Sequence, residues 1–144
     1  MLDEGDQRVI IVSPYMRISK WHKFVNKVNE LKTRRILTEI YVRDDPDNTD
    51  TYRDLDQLAL PYKKIPHLHS KFYLNEGYGI VTSMNLLLSS EINSLEIGYA
   101  TENWTEYNDL LRYYQEKHSA FFIDREKGRR SYRHEGRNTS GPFA

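Results

Sequence analysis

The sequence predicts an α/β fold, a mixed β-sheet flanked by helices in a single domain. Three observations carry that reading. Short apolar, β-branched runs alternate with segments whose apolar residues recur at helical spacing. Clusters of turn-forming residues separate them. Two strand-like segments are joined by the tight Asn75-Glu76-Gly77 turn. A chain of 144 residues is the size of about one domain and can bury one core.

The elements follow in order. Arg8 to Ser13 is an apolar run closed by Pro14 and predicts a buried strand. Ser19 is placed to cap a helix in which Trp21, Phe24, Val25, Val28 and Leu31 form the apolar stripe. Ile36 to Arg43, rich in β-branched and aromatic residues, predicts a second strand. The cluster Asp44-Asp45-Pro46-Asp47-Asn48 is a turn, and a short helix from Thr49 or Asp50 to Leu58 is ended by Pro61. Lys63 to Ile65, His69 to Leu74, Gly79 to Thr82 and Ser94 to Thr101 all read as strands. A long amphipathic helix runs from Trp104 to Phe122. The order β-α-β-α-β-β-β-β-α suits a mixed sheet with helices on its faces.

Composition narrows the function. No stretch of about 18 apolar residues is present, so no membrane span is expected. The acidic start lacks the basic-then-apolar pattern of a secretory signal, and cysteine is absent, so a cytoplasmic location is expected. Net charge is zero, which argues against a uniformly basic coat. Residues 125–144 nevertheless carry six basic and two acidic side chains. They are read as a basic, flexible tail able to add phosphate affinity, following a domain of residues 1–124.

The chemically informative stretches are His69-Ser70-Lys71-Phe72-Tyr73-Leu74 and Gly79-Ile80-Val81-Thr82-Ser83-Met84-Asn85. Alternate residues of a strand share a face, so His69 and Lys71 are expected to project together. The returning strand of the hairpin delivers Ser83 and Asn85 at its end. An imidazole, an ammonium, a hydroxyl and an amide together suit a phosphodiester: one nucleophile or base, one fixed cation, and neutral donors for the non-bridging oxygens.

These residues resemble the phospholipase D superfamily, whose signature is His-x-Lys, then four residues and an Asp, then Gly-Ser-x-x-Asn, or Gly-Ser-x-Asn in its nuclease branch. His69-x-Lys71 and Ser83-x-Asn85 match the latter form. Glu96 falls where that branch carries a Glu, and Val9 to Tyr15 is similar to the family's opening strand, so the likeness covers most of residues 8–124. Two positions depart from the pattern: Glu76, or Asn75 with a shorter hairpin, stands for the Asp, and Thr82 stands for the Gly.

The resemblance implies a phospholipase D-like fold and a metal-independent phosphodiesterase. His69 is then the nucleophile and forms a phosphohistidine, while a second histidine protonates the leaving oxygen. Lys71, Ser83 and Asn85 bind the phosphoryl group, and Glu96 orients the His69 imidazole through its other ring N–H. No cofactor and no metal are implied. With a single motif, the family places two histidines at a twofold axis, so a homodimer is expected. A nuclease is the leading reading, with DNA favoured over RNA as partner and with a separate DNA-recognition domain or subunit as its companion. The alternatives are a lipid phosphodiesterase or phosphatidyl transferase, and a non-catalytic nucleic-acid-binding module. A metal-dependent hydrolase built on His67 and His69, with Glu96 or an Asp of residues 44–50 as third ligand, ranks behind them.

Overall fold

The computed structural model describes residues 1–87 and 95–116. The chain divides into a unit of Met1–Asn108 and a second of Asp109–Ala144, of which residues 109–116 are described. In chain order the elements are β1 (Arg8–Val12), β2 (Met16–Arg17), α1 (His22–Thr33), β3 (Leu37–Asp44), α2 (Thr49–Gln57), β4 (Lys63–Pro66), β5 (Phe72–Asn75), β6 (Gly79–Thr82), β7 (Leu86–Leu87), β8 (Gly98–Thr101) and α3 (Trp104–Tyr114).

Among the described residues, six strands form one sheet in the order β4-β3-β1-β5-β6-β8. β1, β3 and β4 pair in parallel, and α1 and α2 supply the crossovers that parallel pairing demands. β5, β6 and β8 continue as an antiparallel meander from β1. The mixed sheet with flanking helices expected from the sequence is therefore present. The core lies between sheet and crossovers: Val9, Ile11, Ile40, Val42 and Tyr73 pack with Phe24, Val28 and Leu31 of α1 and Leu55 of α2. Each such apolar side chain contributes about 1.5–3 kcal/mol on full burial.

Several boundaries differ from the sequence reading, each for a physical reason. Ser19 does not cap α1. Its backbone N–H and that of Ile18 donate to the buried Asp54 carboxylate at 3.0 and 2.8 Å, and the helix begins at His22 behind Trp21. Both crossover helices end on a left-handed residue, Arg35 (φ 58°) and Ala59 (φ 49°). There the Ile36 N–H reaches the Leu31 carbonyl and the Leu60 N–H reaches the Leu55 carbonyl, each at 3.0 Å. The strand expected from His69 begins at Phe72, and the one expected over Ser94 to Thr101 is, among its described residues, strand over Gly98–Thr101. The two-residue strands β2 and β7, which pair in parallel as a separate small sheet, had no periodicity to announce them.

The turn between β5 and β6 is built by Asn75. Its buried Oδ1 accepts the N–H groups of Gly77 and Tyr78 at 2.7 and 2.8 Å. Glu76, at the position of the family's Asp, turns instead to the chain start and accepts the amides of Asp6, Gln7 and Arg8 at 2.5, 3.4 and 3.2 Å. It fastens the entry to β1 and makes no bond to His69 or Lys71 among the described residues.

In the second unit, Arg112 is paired with Asp109. His118, Phe121, Phe122, His134, the expected boundary at residue 124 and the basic tail lie outside the described residues. Among the described residues no helix is long and apolar enough to cross a membrane.

Candidate active site

The pairing of β5 with β1 runs from Val9↔Asn75 to Val12↔Phe72 and stops there. The first amide past β1, that of Ser13, donates to the Tyr41 carbonyl at 3.1 Å, and Pro14 has no N–H to offer. His69 and Lys71 consequently precede the strand and lie at the open end of the sheet. They still converge: Lys71 Nζ donates to the His69 carbonyl at 2.8 Å and stands 3.5 Å from His69 Nδ1. The loop is held at both ends. The Lys71 carbonyl accepts the Thr82 N–H at 3.1 Å, and the carbonyl of buried Leu68 accepts Arg43 Nη1 at 3.4 Å. Partial burial lowers the Lys71 pKa below the usual lysine value, and the negative charge of Glu96 partly offsets that shift.

Ser83 leaves β6 at the same end. Its hydroxyl donates to Glu96 Oε2 at 2.5 Å and accepts the Ile97 N–H at 3.1 Å, while its own N–H donates to the Ile97 carbonyl at 2.9 Å. These bonds extend the β6–β8 ladder past Thr82↔Gly98 and so fix where Glu96 stands. Glu96 was expected on the His69 imidazole; its carboxylate is on Ser83 instead, close enough to Lys71 to act on it through its charge. Asn85 follows Met84, with its Oδ1 buried and, among the described residues, without a hydrogen-bond partner. The structure thus forms two side-chain pairs, His69–Lys71 and Ser83–Glu96, linked by the Glu96–Lys71 charge interaction, with Asn85 two residues beyond Ser83.

His67 does not share a strand face with His69. It lies past the end of β4 with φ 57°, a left-handed backbone that breaks the alternation. Among the described residues, no group of three or more His, Asp or Glu side chains comes together as metal ligands. A cleft of about 220 Å³ lined by Leu2, Asp3, Trp21, Lys23, Phe24 and Lys27 shares no residue with the site.

Two residues that sequence reasoning passed over reach the site from the core. Tyr73 Oη donates to the Met84 carbonyl at 3.1 Å, and Ser13 Oγ accepts the Leu86 N–H at 3.0 Å. The signal that could have found the first was a phenol at an inward-facing strand position, because a buried tyrosine hydroxyl needs a partner.

No protein-family model and no curated protein matches this sequence. Solved structures do. The chain is similar to Nuc from Salmonella typhimurium, described as a phospholipase D family member, with a TM-score of 0.63 and 11% identity over 81% of this chain and 80% of that one. It is similar to NucT from Helicobacter pylori, with a TM-score of 0.62 and 15% identity over 81% of each chain. TrmBL2, described as an archaeal chromatin protein with a novel mode of DNA binding, gives a TM-score of 0.53 and 9% identity, matching 80% of this chain but 44% of its own length. The fold is therefore phospholipase D-like, as the resemblance at His69-x-Lys71 implied.

Proposed function

We propose that this chain is a phosphodiesterase that cleaves nucleic acid, DNA in preference to RNA, at a site completed by a second copy of itself. The observation that carries the reading is the convergence of His69 with the Lys71 ammonium at the end of the sheet where Ser83 and Glu96 also stand. An imidazole nitrogen of His69 attacks phosphorus and displaces one ester oxygen, which takes its proton from the histidine of the second copy. That histidine then removes a proton from water, which attacks the phosphohistidine, releases the phosphate monoester and returns His69 to its starting state. Lys71 and Asn85 hold the non-bridging oxygens as charge builds on them. No step calls for a metal.

The second copy follows from the chemistry, since one imidazole cannot attack and protonate the leaving group in the same step. An apolar rim beside the site supports the same reading. Leu95 and Ile97, on either side of Glu96, are 105% and 79% exposed, and Tyr99 on the edge strand β8 is 60% exposed beside its ladder partner Val81. Exposed apolar side chains gathered at one sheet edge suit an interaction face.

A second reading, a nucleic-acid-binding module without catalysis, is favoured by one observation: Glu96 is bonded to Ser83, and no carboxylate among the described residues bonds the His69 imidazole. One experiment separates the two. Plasmid, single-stranded DNA, RNA and phosphatidylglycerol vesicles are each incubated with the protein in excess EDTA, in parallel with His69→Ala. Cleavage of nucleic acid that His69→Ala abolishes supports the proposal. Tight binding without cleavage, unchanged in His69→Ala, supports the module. Turnover of the lipid alone, or cleavage that requires added zinc, rejects both.

A further inference from the structure

Asn85 sits between two fixed points. On one side, Met84 is held by Tyr73, whose Oη donates to its carbonyl at 3.1 Å. On the other, Leu86 is held by Ser13, whose Oγ accepts its N–H at 3.0 Å and donates in turn to the Tyr15 carbonyl at 2.8 Å. Both anchors belong to the interior. Ser13 is fully buried, and Tyr73 is 5% exposed in the middle of β5, between Ile11 and Ile80. Leu86 also pairs with Met16 in the small β2–β7 sheet and is itself buried. The Asn85 carbonyl accepts the Leu87 N–H at 2.7 Å, so backbone freedom around Asn85 is largely removed.

The side chain held this way carries a cost. Asn85 Oδ1 is buried with no hydrogen-bond partner among the described residues, and an unsatisfied buried acceptor is destabilising. A loop free to relax would turn the amide toward water. The two hydroxyl anchors fix the backbone on either side of that amide, and unsatisfied groups held by their surroundings are a mark of functional sites.

We propose that Tyr73 and Ser13 are positioning residues that hold the Asn85 amide in register with His69 and Lys71, leaving its NH2 as a fixed donor to a phosphoryl oxygen. The inference rests on the reading of Asn85 as a phosphoryl ligand. Neither hydroxyl touches substrate; each acts through the backbone next to Asn85. Burial raises the Tyr73 pKa well above its usual value, an effect opposed by the Ser13 hydrogen bond and reinforced by the Glu96 charge. The phenol therefore keeps its proton, and its bond to Met84, across the working pH range.

The test uses orthovanadate, a phosphate mimic, bound to the full-length protein and measured by calorimetry. The variants are Tyr73→Phe, Ser13→Ala, Asn85→Ala and the double variant Tyr73→Phe/Asn85→Ala, with thermal midpoints measured in parallel. A misplaced ligand group costs on the order of 10- to 100-fold. Tyr73→Phe and Ser13→Ala are each expected to weaken vanadate binding about 10-fold, and the double variant is expected to bind as Asn85→Ala does. If Asn85→Ala weakens binding while both single anchor variants bind as wild type, the positioning proposal is overturned and the role of Asn85 stands. It is equally overturned if Tyr73→Phe weakens the Asn85→Ala protein as much as it weakens wild type, since the phenol then acts elsewhere. Wild-type binding by Asn85→Ala overturns the reading of Asn85 itself. Should Tyr73→Phe fail to fold, the cycle is run with Ser13→Ala.

Discussion

Lys71 donates from Nζ to the carbonyl of His69, the residue whose ring it also approaches, so cation and imidazole are fixed by one short loop. A shorter or differently hydrated cation cannot repeat that contact. Lys71→Met is expected to lower kcat at least 100-fold with little change in thermal midpoint, since only a partly buried side chain is altered. Lys71→Arg, which keeps the charge but not the geometry, is expected to recover only part of the rate.

The same lysine sets a pH dependence. Burial places its pKa below 10.5, so the ammonium is lost at lower pH than from a free lysine. The alkaline limb of kcat/KM is expected to fall below pH 10.5 and to move upward in Lys71→Arg. A limb that does not move in Lys71→Arg would assign it to another group.

Glu96 raises the Lys71 pKa through its charge while its carboxylate holds the Ser83 hydroxyl. Glu96→Gln keeps an acceptor for that hydroxyl and removes the charge. It is expected to displace the alkaline limb further toward neutral pH. If Glu96 instead oriented an imidazole, the acid limb would respond.

Glu76 carries a stability prediction. Its carboxylate collects three backbone amides at the entry to β1, and loss of such charge-assisted bonds at an exposed position costs about 1–2 kcal/mol. Glu76→Ala is expected to lower the urea midpoint accordingly. Although burial opposes it, the bonds from Asp6, Arg8 and Gln7 leave the Glu76 pKa below 4.5. Because the folded pKa is the lower one, the unfolded chain takes up the proton first. The contribution is complete above pH 4.5 and lost as pH falls through the folded value, so the variant and wild type are expected to converge in acid.

The proposal of a site shared between two copies predicts coupling between assembly and rate. Ile97→Arg and Tyr99→Arg place charge on the exposed rim without touching the core. Sedimentation is expected to show monomer, and activity is expected to be lost while the circular dichroism spectrum is kept. A fully active monomer would refute the second copy.

The sheet, both crossover helices and the β5–β6 turn were legible because each is written locally. Phe24, Val28 and Leu31 recur at helical spacing, and Asn75 supplies its own turn bonds. The details of the site were not local. Whether His69 lies on a strand depends on where β1 stops pairing, which Pro14 decides from 55 residues away in the chain by removing an N–H. The partner of Glu96 depends on the β6–β8 register, and β2 and β7 exist only because Met16 and Leu86 meet in three dimensions. Sequence placed the residue types at the site; pairing register decided which of them touch.

The position of β1 has a further consequence for how the chain reaches its native state. It lies between the parallel half and the antiparallel half and must find β3 and β5, whose paired residues are roughly 30 and roughly 65 positions further along. During synthesis it emerges ahead of both β3 and β5, as a bare apolar strand with neither neighbour yet made. Until β5 emerges, one edge of Val9-Ile10-Ile11-Val12 is open to pairing with other nascent chains. Refolding yield should therefore fall steeply with protein concentration, and a holding chaperone should recover it by shielding this one segment.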